Sequence, residues 1–412
     1  MLISGKNREL NFDIDAPASK SVYHRELIVR FLCGDYLQLD VIEGDNDDII
    51  ATKACLKALR DASGKEEIVL DCNESGSTLR FMIPVAAAFV FGKKAEKSEA
   101  KRLVFKTAGR LFERPLKELS DALLPHGIRV EKSEADRSII VGLIENYEYM
   151  TAGEYVIDGS VSSQYISGLL MALTFFDEPT SVRVTGELKS VHYIELTEAA
   201  LKKYGAEVKK KEQTYYPKAA GYSKEAIQRY PDFKVEGDWS NGAFLLCFKR
   251  FSGIRVHNLN PDSLQGDRAI LDYFKYLETE NEGEKLSFDC NDIPDIVPYM
   301  ATIAPFIVNR ITFNGIGRLR IKESDRVKAV REQLFAVGVK TEETEDSLTV
   351  FRYEGRIPYD RTISLSSYHD HRMAMCAILL AVILQTEVEL DDLDCVKKSF
   401  PQLIDIVEKY MR

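Results

Sequence analysis

Short runs suited to β-strands alternate with stretches of helical period along the whole chain, which predicts a mixed α/β fold. One unit recurs: a helix that ends in Gly and passes at once into an extended segment. It reads DALLPHGIRVE around Gly127, EAALKKYGAEVK around Gly205 and REQLFAVGVKTE around Gly338. Glycine suits the left-handed position that closes a helix, and Val then belongs to the extended segment. The three glycines lie 78 and 133 positions apart, so the longer interval has room for two units of roughly 65–70 residues. Glycine after a helix is common, and chance recurrence is the competing reading.

No low-complexity linker divides the chain. The stretch Lys209–Asp238 mixes charge, Tyr and Pro; it reads as a surface excursion before a crossover into a second domain, or simply as solvated surface. Lys93–Arg102 is highly charged and reads as an exposed loop or frayed helix end. The longest apolar stretch, Ala374–Leu384, is shorter than the roughly 18 residues a membrane span needs, so it predicts a buried helix.

Composition sharpens this picture in three ways. At 412 residues the chain exceeds what one core usually serves, so at least two domains are expected. A formal net charge of −10 argues against nucleic acid or an anionic membrane as the main partner, while local cation clusters still leave room for small anions. The seven cysteines are scattered and never form CxxC, which suits reduced thiols in a cytoplasm. The first residues lack the basic start and apolar run of a signal peptide.

The chemistry sits in segments where cations and hydroxyls gather at expected helix starts. In ASKSVYHR, Pro17 and Ser19 open a helix over whose first turns Lys20, Ser21 and Arg25 cluster. Such a start offers free N–H groups and a positive dipole end to an anion. ESGSTLRF sets Gly76 before a helix with Arg80 one turn in, and TAGRLFERPLKEL carries Arg110 and Arg114 in a loop. DGSVSSQYISGLLMAL puts Ser162, Ser163 and Gln164 ahead of an apolar helix, and GELKSVHYIELT adds Ser190 and Tyr193. Each of these taken alone reads equally as an ordinary cap or a surface ion pair.

In the second half, NDIPDIVPYMA surrounds Asp295 with apolar neighbours. Desolvation there raises a carboxyl pKa and suits it to general base work; a helix N-cap is the alternative. GRLRIKESDRVKAV packs Arg318, Arg320, Lys322, Glu323, Asp325 and Arg326, and reads as a strand leading into a helix through a charged turn. SSYHDHRMAMC places His369, Asp370, His371 and Arg372 before an apolar helix, a spacing poor for chelating a metal. CVKKSFPQL adds Lys397 and Lys398 as a solvated helix start.

Taken in order, these segments resemble the 5-enolpyruvylshikimate-3-phosphate synthase family of enolpyruvyl transferases, from Lys20 to Pro401. SKSVYHR, SSQ, VEGD, QGD, IPD, IKESDR, DHRMAM and KSFP each match collinearly. The resemblance implies a two-domain, inside-out α/β barrel of six βαβαββ-type repeats, three per domain, with the active site where the domains meet. Residues 20–236 would form the shikimate 3-phosphate side; 1–19 and 237–412 would form the phosphoenolpyruvate side. It further implies that Ser162, Ser163 and Ser190 take the 3-phosphate, and that Ser21 and Arg25 hold the ring carboxylate. Gln164 and Tyr193 would lie along the ring, and Lys322 would reach its hydroxyls. Lys20, Gly76, Arg110, Gln164, Arg326, Arg372 and Lys398 would surround phosphoenolpyruvate. Lys20, Asp295 and Glu323 are the catalytic candidates, with Lys20 and Asp295 also touching shikimate 3-phosphate. No metal or organic cofactor is implied, and the expected partners are the two small-molecule substrates, acted on by a cytoplasmic monomer.

The chain departs from the family pattern at several positions. Glu74, His24, His369 and Arg318 stand where Asn is common, and Phe81 follows Arg80 where Pro is frequent. Gly76 is kept, so glyphosate is expected to compete with phosphoenolpyruvate. A related transferase acting on UDP-N-acetylglucosamine would have Asn after Lys20 and a Cys in the loop Thr107–Pro115; Ser21 follows Lys20 here and that loop has none. A non-catalytic anion-binding module would be expected to lose Lys20, Asp295 or Glu323, all of which are present.

Overall fold

The structure is a computed structural model that describes residues 1–412 apart from 7–9, 96–98, 219–223, 231–232, 280–284 and 356–361. The chain opens with β1 (Leu2–Ser4), β2 (Asp13–Asp15), α1 (Lys20–Leu32) and α2 (Asp47–Arg60). A six-element unit follows: β3 (Glu67–Asp71), α3 (Gly76–Phe91), β4 (Arg102–Lys106), α4 (Lys117–Leu123), β5 (Ile128–Ser133) and β6 (Ser138–Leu143). It repeats as β7 (Gly153–Asp158), α5 (Ser163–Leu173), β8 (Thr180–Thr185), α6 (His192–Lys203), β9 (Val208–Lys211) and β10 (Thr214–Pro217). Next come α7 (Lys224–Arg229), α8 (Trp239–Arg250), β11 (Arg255–His257) and α9 (Ile270–Thr279). The unit then returns as β12 (Leu286–Asp289), α10 (Val297–Ile303), β13 (Arg310–Asn314), α11 (Arg326–Ala336), β14 (Thr341–Glu343) and β15 (Ser347–Phe351). The chain closes with β16 (Ile363–Leu365), α12 (His371–Leu384), β17 (Glu387–Leu390) and α13 (Leu403–Tyr410).

Each six-element unit builds one four-stranded sheet of the same topology: β3-β4-β6-β5, β7-β8-β10-β9 and β12-β13-β15-β14. The first two strands run parallel because a helix carries the chain back between them. The last two form an antiparallel hairpin. These are βαβαββ repeats, complete three times among the described residues. Gly127, Gly205 and Gly338 occupy the same place in each, the turn into the third strand, with φ of 86°, 86° and 87°. A side chain other than Gly would be strained there, which is why the repeat is readable in the sequence. The remaining sheets are shorter. In β1-β17-β16 the chain's first strand pairs antiparallel with one of its last, and β2 pairs parallel with β11.

The chain divides into two compact units, a terminal unit of Met1–Ser19 with Glu236–Arg412 and a middle unit of Lys20–Val235. Each has its own hydrophobic core. In the terminal unit the core centres on α12, whose residues from His371 to Val382 are all buried, as the apolar run Ala374–Leu384 predicted. No helix among the described residues is long and apolar enough to cross a membrane. In the middle unit α3 and α5 approach closely at Gly168, where a Cβ would meet Arg80 O at 2.8 Å. That approach brings the polar starts of both helices within reach of each other. Of the excursion Lys209–Asp238, residues 219–223 and 231–232 lie outside the described residues, as do 96–98 of the charged stretch Lys93–Arg102.

Where the chain enters and re-enters the terminal unit, one amide fastens both strands. Ala18 and Gly237 form an antiparallel bridge, and Ser19 N–H donates to Glu236 O at 2.8 Å. The buried Gln265 accepts from Ser19 Oγ (2.8 Å) and Trp239 N–H (3.0 Å), and donates to Glu236 Oε1 (2.8 Å) and Gly237 O (2.9 Å). Both lone pairs and both N–H groups of the amide are thereby used. Gly237 is required here, because a Cβ would stand 1.8 Å from Asn258 O. Replacing Gln265 by Leu removes the partner of the buried Ser19 Oγ, Trp239 N–H and Gly237 O, and should lower stability by about 2–4 kcal/mol, read from urea unfolding. An unchanged midpoint would show that the amide is not needed there.

Candidate active site

The polar residues gather in two sets, one in each unit. In the middle unit α1 starts at Lys20, whose ammonium is 2.8 Å from Asp48 of α2. Arg25, 1% exposed, turns inward. Its guanidinium donates to Thr197 Oγ1 (2.7 Å), Ser21 O (2.6 Å), Ser167 Oγ (3.3 Å) and Tyr193 O (2.7 Å), and lies 5.0 Å from the Phe81 ring. All four of these acceptors are formally neutral. Burial without such a counter-charge lowers the guanidinium pKa to about 10, against a smaller opposing effect of Tyr193. Ser21, Arg25 and Tyr193 are therefore in direct contact, and α1 is bound to α5 and α6 through them.

Ser162 caps α5, its hydroxyl accepting from Gln164 N–H at 3.3 Å, and Ser163 is the first helical residue. The Gln164 side chain crosses to α3, donating to Ser77 Oγ (2.9 Å) and accepting from Arg80 (2.9 Å). Ser190 has a left-handed φ of 55°, and its carbonyl accepts from Tyr193 N–H at 3.2 Å. Gly76 opens α3, and a Cβ there would stand 2.4 Å from Arg114 Nη1. Arg110 is exposed on the loop between β4 and α4. Arg80, Ser77 and Arg114 are thus tied to the expected set. The sequence showed them only as parts of motifs, because nothing local says which side chain a helix start will face.

In the terminal unit the set closes around one residue. Arg326, 1% exposed, opens α11 and donates to Asp370 (Nε, 2.8 Å; Nη2, 3.2 Å), Asp295 (Nη1, 2.8 Å) and Glu323 (Nη2, 2.9 Å). Lys322 lies 3.6 Å from Asp295, and Lys398 lies 3.6 Å from Glu323. Asp370 caps α12 by accepting from Arg372 N–H at 2.9 Å and also accepts from Ser324 Oγ at 2.9 Å. Arg372 donates to the buried Tyr299 hydroxyl at 3.0 Å and lies 5.5 Å from its ring. The structure brings together all six residues expected on this side: Asp295, Lys322, Glu323, Arg326, Arg372 and Lys398. Asp370 and Tyr299, which hold two of the arginines, were missed. Asp370 was visible only as a poor metal ligand, and Tyr299 as one apolar position of α10.

Four expectations need correcting. Desolvation does push Asp295 upward, but Lys322, Arg372 and Arg326 outweigh it and hold the carboxyl well below its ordinary range. Nor is Asp295 a cap, since the N-cap position of α10 is Ile296. Gly317–Ile321 is a 3-10 turn rather than a strand, β13 having ended at Asn314. Lys398 is 7% exposed, because the 3-10 turn Asp394–Lys398 packs it inward while Lys397 stays outside on Asp394. His369 and His371 diverge: the first is exposed beside Asp392 and the second is buried.

Asp267, from the QGD segment, is buried next to Ser240, whose hydroxyl donates to it, and its Oδ1 has no hydrogen-bond partner among the described residues. Burial, then the Asp295 charge, raises its pKa to about 7. The folded state therefore holds this proton between the unfolded value of 3.8 and about 7, where the unfolded chain has released it. Its contribution is fully present below 3.8 and is lost as pH rises towards 7, at up to about 1.4 kcal/mol per pH unit. Asp267→Asn should flatten the fall of the urea midpoint over that range. Parallel profiles for the two proteins would overturn the assignment.

Comparison with known proteins follows the same lines. The family model described as EPSP synthase (3-phosphoshikimate 1-carboxyvinyltransferase) matches residues 6–407. A Clostridioides difficile protein named 3-phosphoshikimate 1-carboxyvinyltransferase is 30% identical, with 95% of this chain and 93% of that protein covered. A Clostridium beijerinckii protein of the same name is 31% identical over 96% and 94%. Among solved structures, an EPSP synthase from Acinetobacter baumannii superposes with a TM-score of 0.69 at 18% identity, covering 100% of this chain and 98% of that one. The enolpyruvyl transferase NikO from Streptomyces tendae gives 0.64 at 14% identity, covering 100% and 97%. At these identities the structural likeness speaks for the fold.

Proposed function

The chain belongs to the EPSP synthase family, and from that premise we propose how its residues carry out the family's reaction. It transfers the enolpyruvyl group of phosphoenolpyruvate to the 5-hydroxyl of shikimate 3-phosphate, releasing inorganic phosphate, as an enzyme of the shikimate pathway. The observation that carries the assignment of roles is the cation cluster of the buried Arg326, Arg372 and Lys398 with the partly exposed Lys322, which supplies positive charge to a small anion.

The middle unit is assigned to shikimate 3-phosphate. Ser162, Ser163 and Ser190 take the phosphate, Ser21 and Arg25 the carboxylate, and Gln164 and Tyr193 the ring. The neutral surroundings of Arg25 support this reading, since a buried guanidinium without a carboxylate gains most from an arriving anion. Lys322 reaches the ring hydroxyls. Lys20, Gly76, Arg110, Gln164, Arg326, Arg372 and Lys398 serve phosphoenolpyruvate.

In the addition step the 5-hydroxyl oxygen bonds to C2, its proton passes to Asp295, and C3 gains a solvent proton relayed through Glu323. In the elimination step a C3 proton returns to Glu323, the C2–O bond to phosphate breaks, and Lys20 protonates the departing phosphate. Asp295 is ionised at neutral pH, as a proton acceptor must be, but its salt bridges make it a weak base. An anionic substrate drawn to Arg326 and Lys322 offsets those charges and raises its basicity. We further infer a cytoplasmic monomer; seven free thiols support a reducing compartment.

The test is phosphate release from phosphoenolpyruvate with shikimate 3-phosphate or UDP-N-acetylglucosamine as acceptor. Release with the first alone is expected, and release with the nucleotide sugar alone would overturn the substrate assignment. Asp295→Asn should cut kcat by at least about a hundredfold, the usual scale for a general base. Glu323→Gln should abolish solvent deuterium uptake at C3; uptake at the normal rate would remove Glu323 from that role. Glyphosate should raise the apparent KM for phosphoenolpyruvate and leave kcat unchanged, whereas inhibition that phosphoenolpyruvate cannot relieve would contradict the retained Gly76.

A further inference from the structure

His24, one of the positions where this chain departs from its family, ends a buried line of hydroxyls that ties three helix starts together. On α1, His24 is 1% exposed, and its Nδ1 lies 2.8 Å from Thr52 Oγ1 on α2. Thr52 Oγ1 lies 2.7 Å from Thr78 Oγ1 on α3, and both threonines are fully buried. Thr78 Oγ1 in turn lies 2.7 Å from Ser75 Oγ, the cap of α3, and 3.2 Å from Asp48 O. Asp48 closes the loop, because its carboxylate holds the Lys20 ammonium at 2.8 Å. Lys20 and His24 are four residues apart on α1, as Asp48 and Thr52 are on α2, so each pair shares a helix face.

The end of the line gives the hydrogen bonds a direction. The Thr78 hydroxyl donates away from Thr52, to Ser75 Oγ (2.7 Å) or Asp48 O (3.2 Å). The Thr52 proton is then directed to Thr78, and Thr52 is left to accept from an Nδ1–H of His24. Burial, with Lys20 and Arg25 adding to it against Asp48, keeps the ring neutral by lowering its pKa to about 3. Its Nε2 has no hydrogen-bond partner among the described residues, and Phe81 packs edge-on at a centroid distance of 6.0 Å. The polar contact of the imidazole with a side chain, among the described residues, is the one its Nδ1 makes with Thr52.

We infer that His24, acting through Thr52 and Thr78, is a positioning residue that holds the Lys20 turn of α1 in register with the Ser75–Gly76 start of α3. This rests on the assignment of Lys20 and Gly76 to phosphoenolpyruvate: that substrate meets both helix starts, whereas shikimate 3-phosphate meets only the α1 turn, so the line sets the affinity for phosphoenolpyruvate more than that for shikimate 3-phosphate. Asparagine carries an N–H donor on a shorter side chain, so it is the substitution that tests whether a donor at this position is what counts.

The test is steady-state kinetics of the whole chain with His24→Leu, His24→Asn and the near-isosteric Thr52→Val. His24→Leu and Thr52→Val should each raise KM for phosphoenolpyruvate about tenfold, the scale of one lost buried hydrogen bond, with a clearly smaller rise in KM for shikimate 3-phosphate. His24→Asn should restore most of the affinity. Equal rises in both KM values, or a lowered melting temperature with both unchanged, would overturn the inference. An unaltered protein inactive with the two substrates would instead overturn the functional reading beneath it. If His24→Leu does not fold, Thr52→Val decides alone by the same criterion.

Discussion

A single buried guanidinium organises the acidic and basic groups of the terminal unit. Arg326 binds Asp370, Asp295 and Glu323 at once, and each comes from a different part of the chain. Charges this deep are tolerable only when paired, and removing one partner leaves the others exposed to the full desolvation cost. The arrangement is therefore all or nothing. It locks the cap of α12 through Asp370, fixes the Glu323 turn ahead of α11, and holds Asp295 ionised. Lys322 and Lys398 attach to its edge, and Arg372 is held separately against Tyr299.

The middle unit solves a different electrostatic problem. Its buried Arg25 meets neutral acceptors, and its Lys20 pairs with Asp48. On the proposed roles, a guanidinium so placed is organised for an anion before the anion comes. In the terminal unit, by contrast, carboxylates already sit on the cations. On the proposed roles, an arriving anion there competes with Asp295 and Glu323, and that competition couples its charge to their basicity. The two sets are complementary in this sense. One is poised to bind and the other to respond.

Much of this was legible along the chain. Gly127, Gly205 and Gly338 announced the repeat because a left-handed residue closing a helix is a local demand that few residue types meet. The collinear motifs pointed to one family for a similar reason, since helix starts rich in Ser, Lys and Arg are local signals, and their order survives in the sequence. The buried run of α12 was equally plain from its composition.

What stayed hidden involved neighbours distant in sequence. The lowered pKa of Asp295 depends on Lys322, Arg372 and Arg326, none of which is near it in the chain. Lys398 looked solvated until packing turned it inward, and Asp370 and Tyr299 gained meaning only from the arginines they hold. Thr52, Thr78 and Gln265 carry no local mark, yet they connect helices and strands from separate segments. By itself the sequence determined the repeat, the helix starts and the family, because each rests on backbone preferences and short-range patterns. Tertiary structure alone decided which charges meet and which are buried, because Coulomb and desolvation energies depend on distance in space and not along the chain.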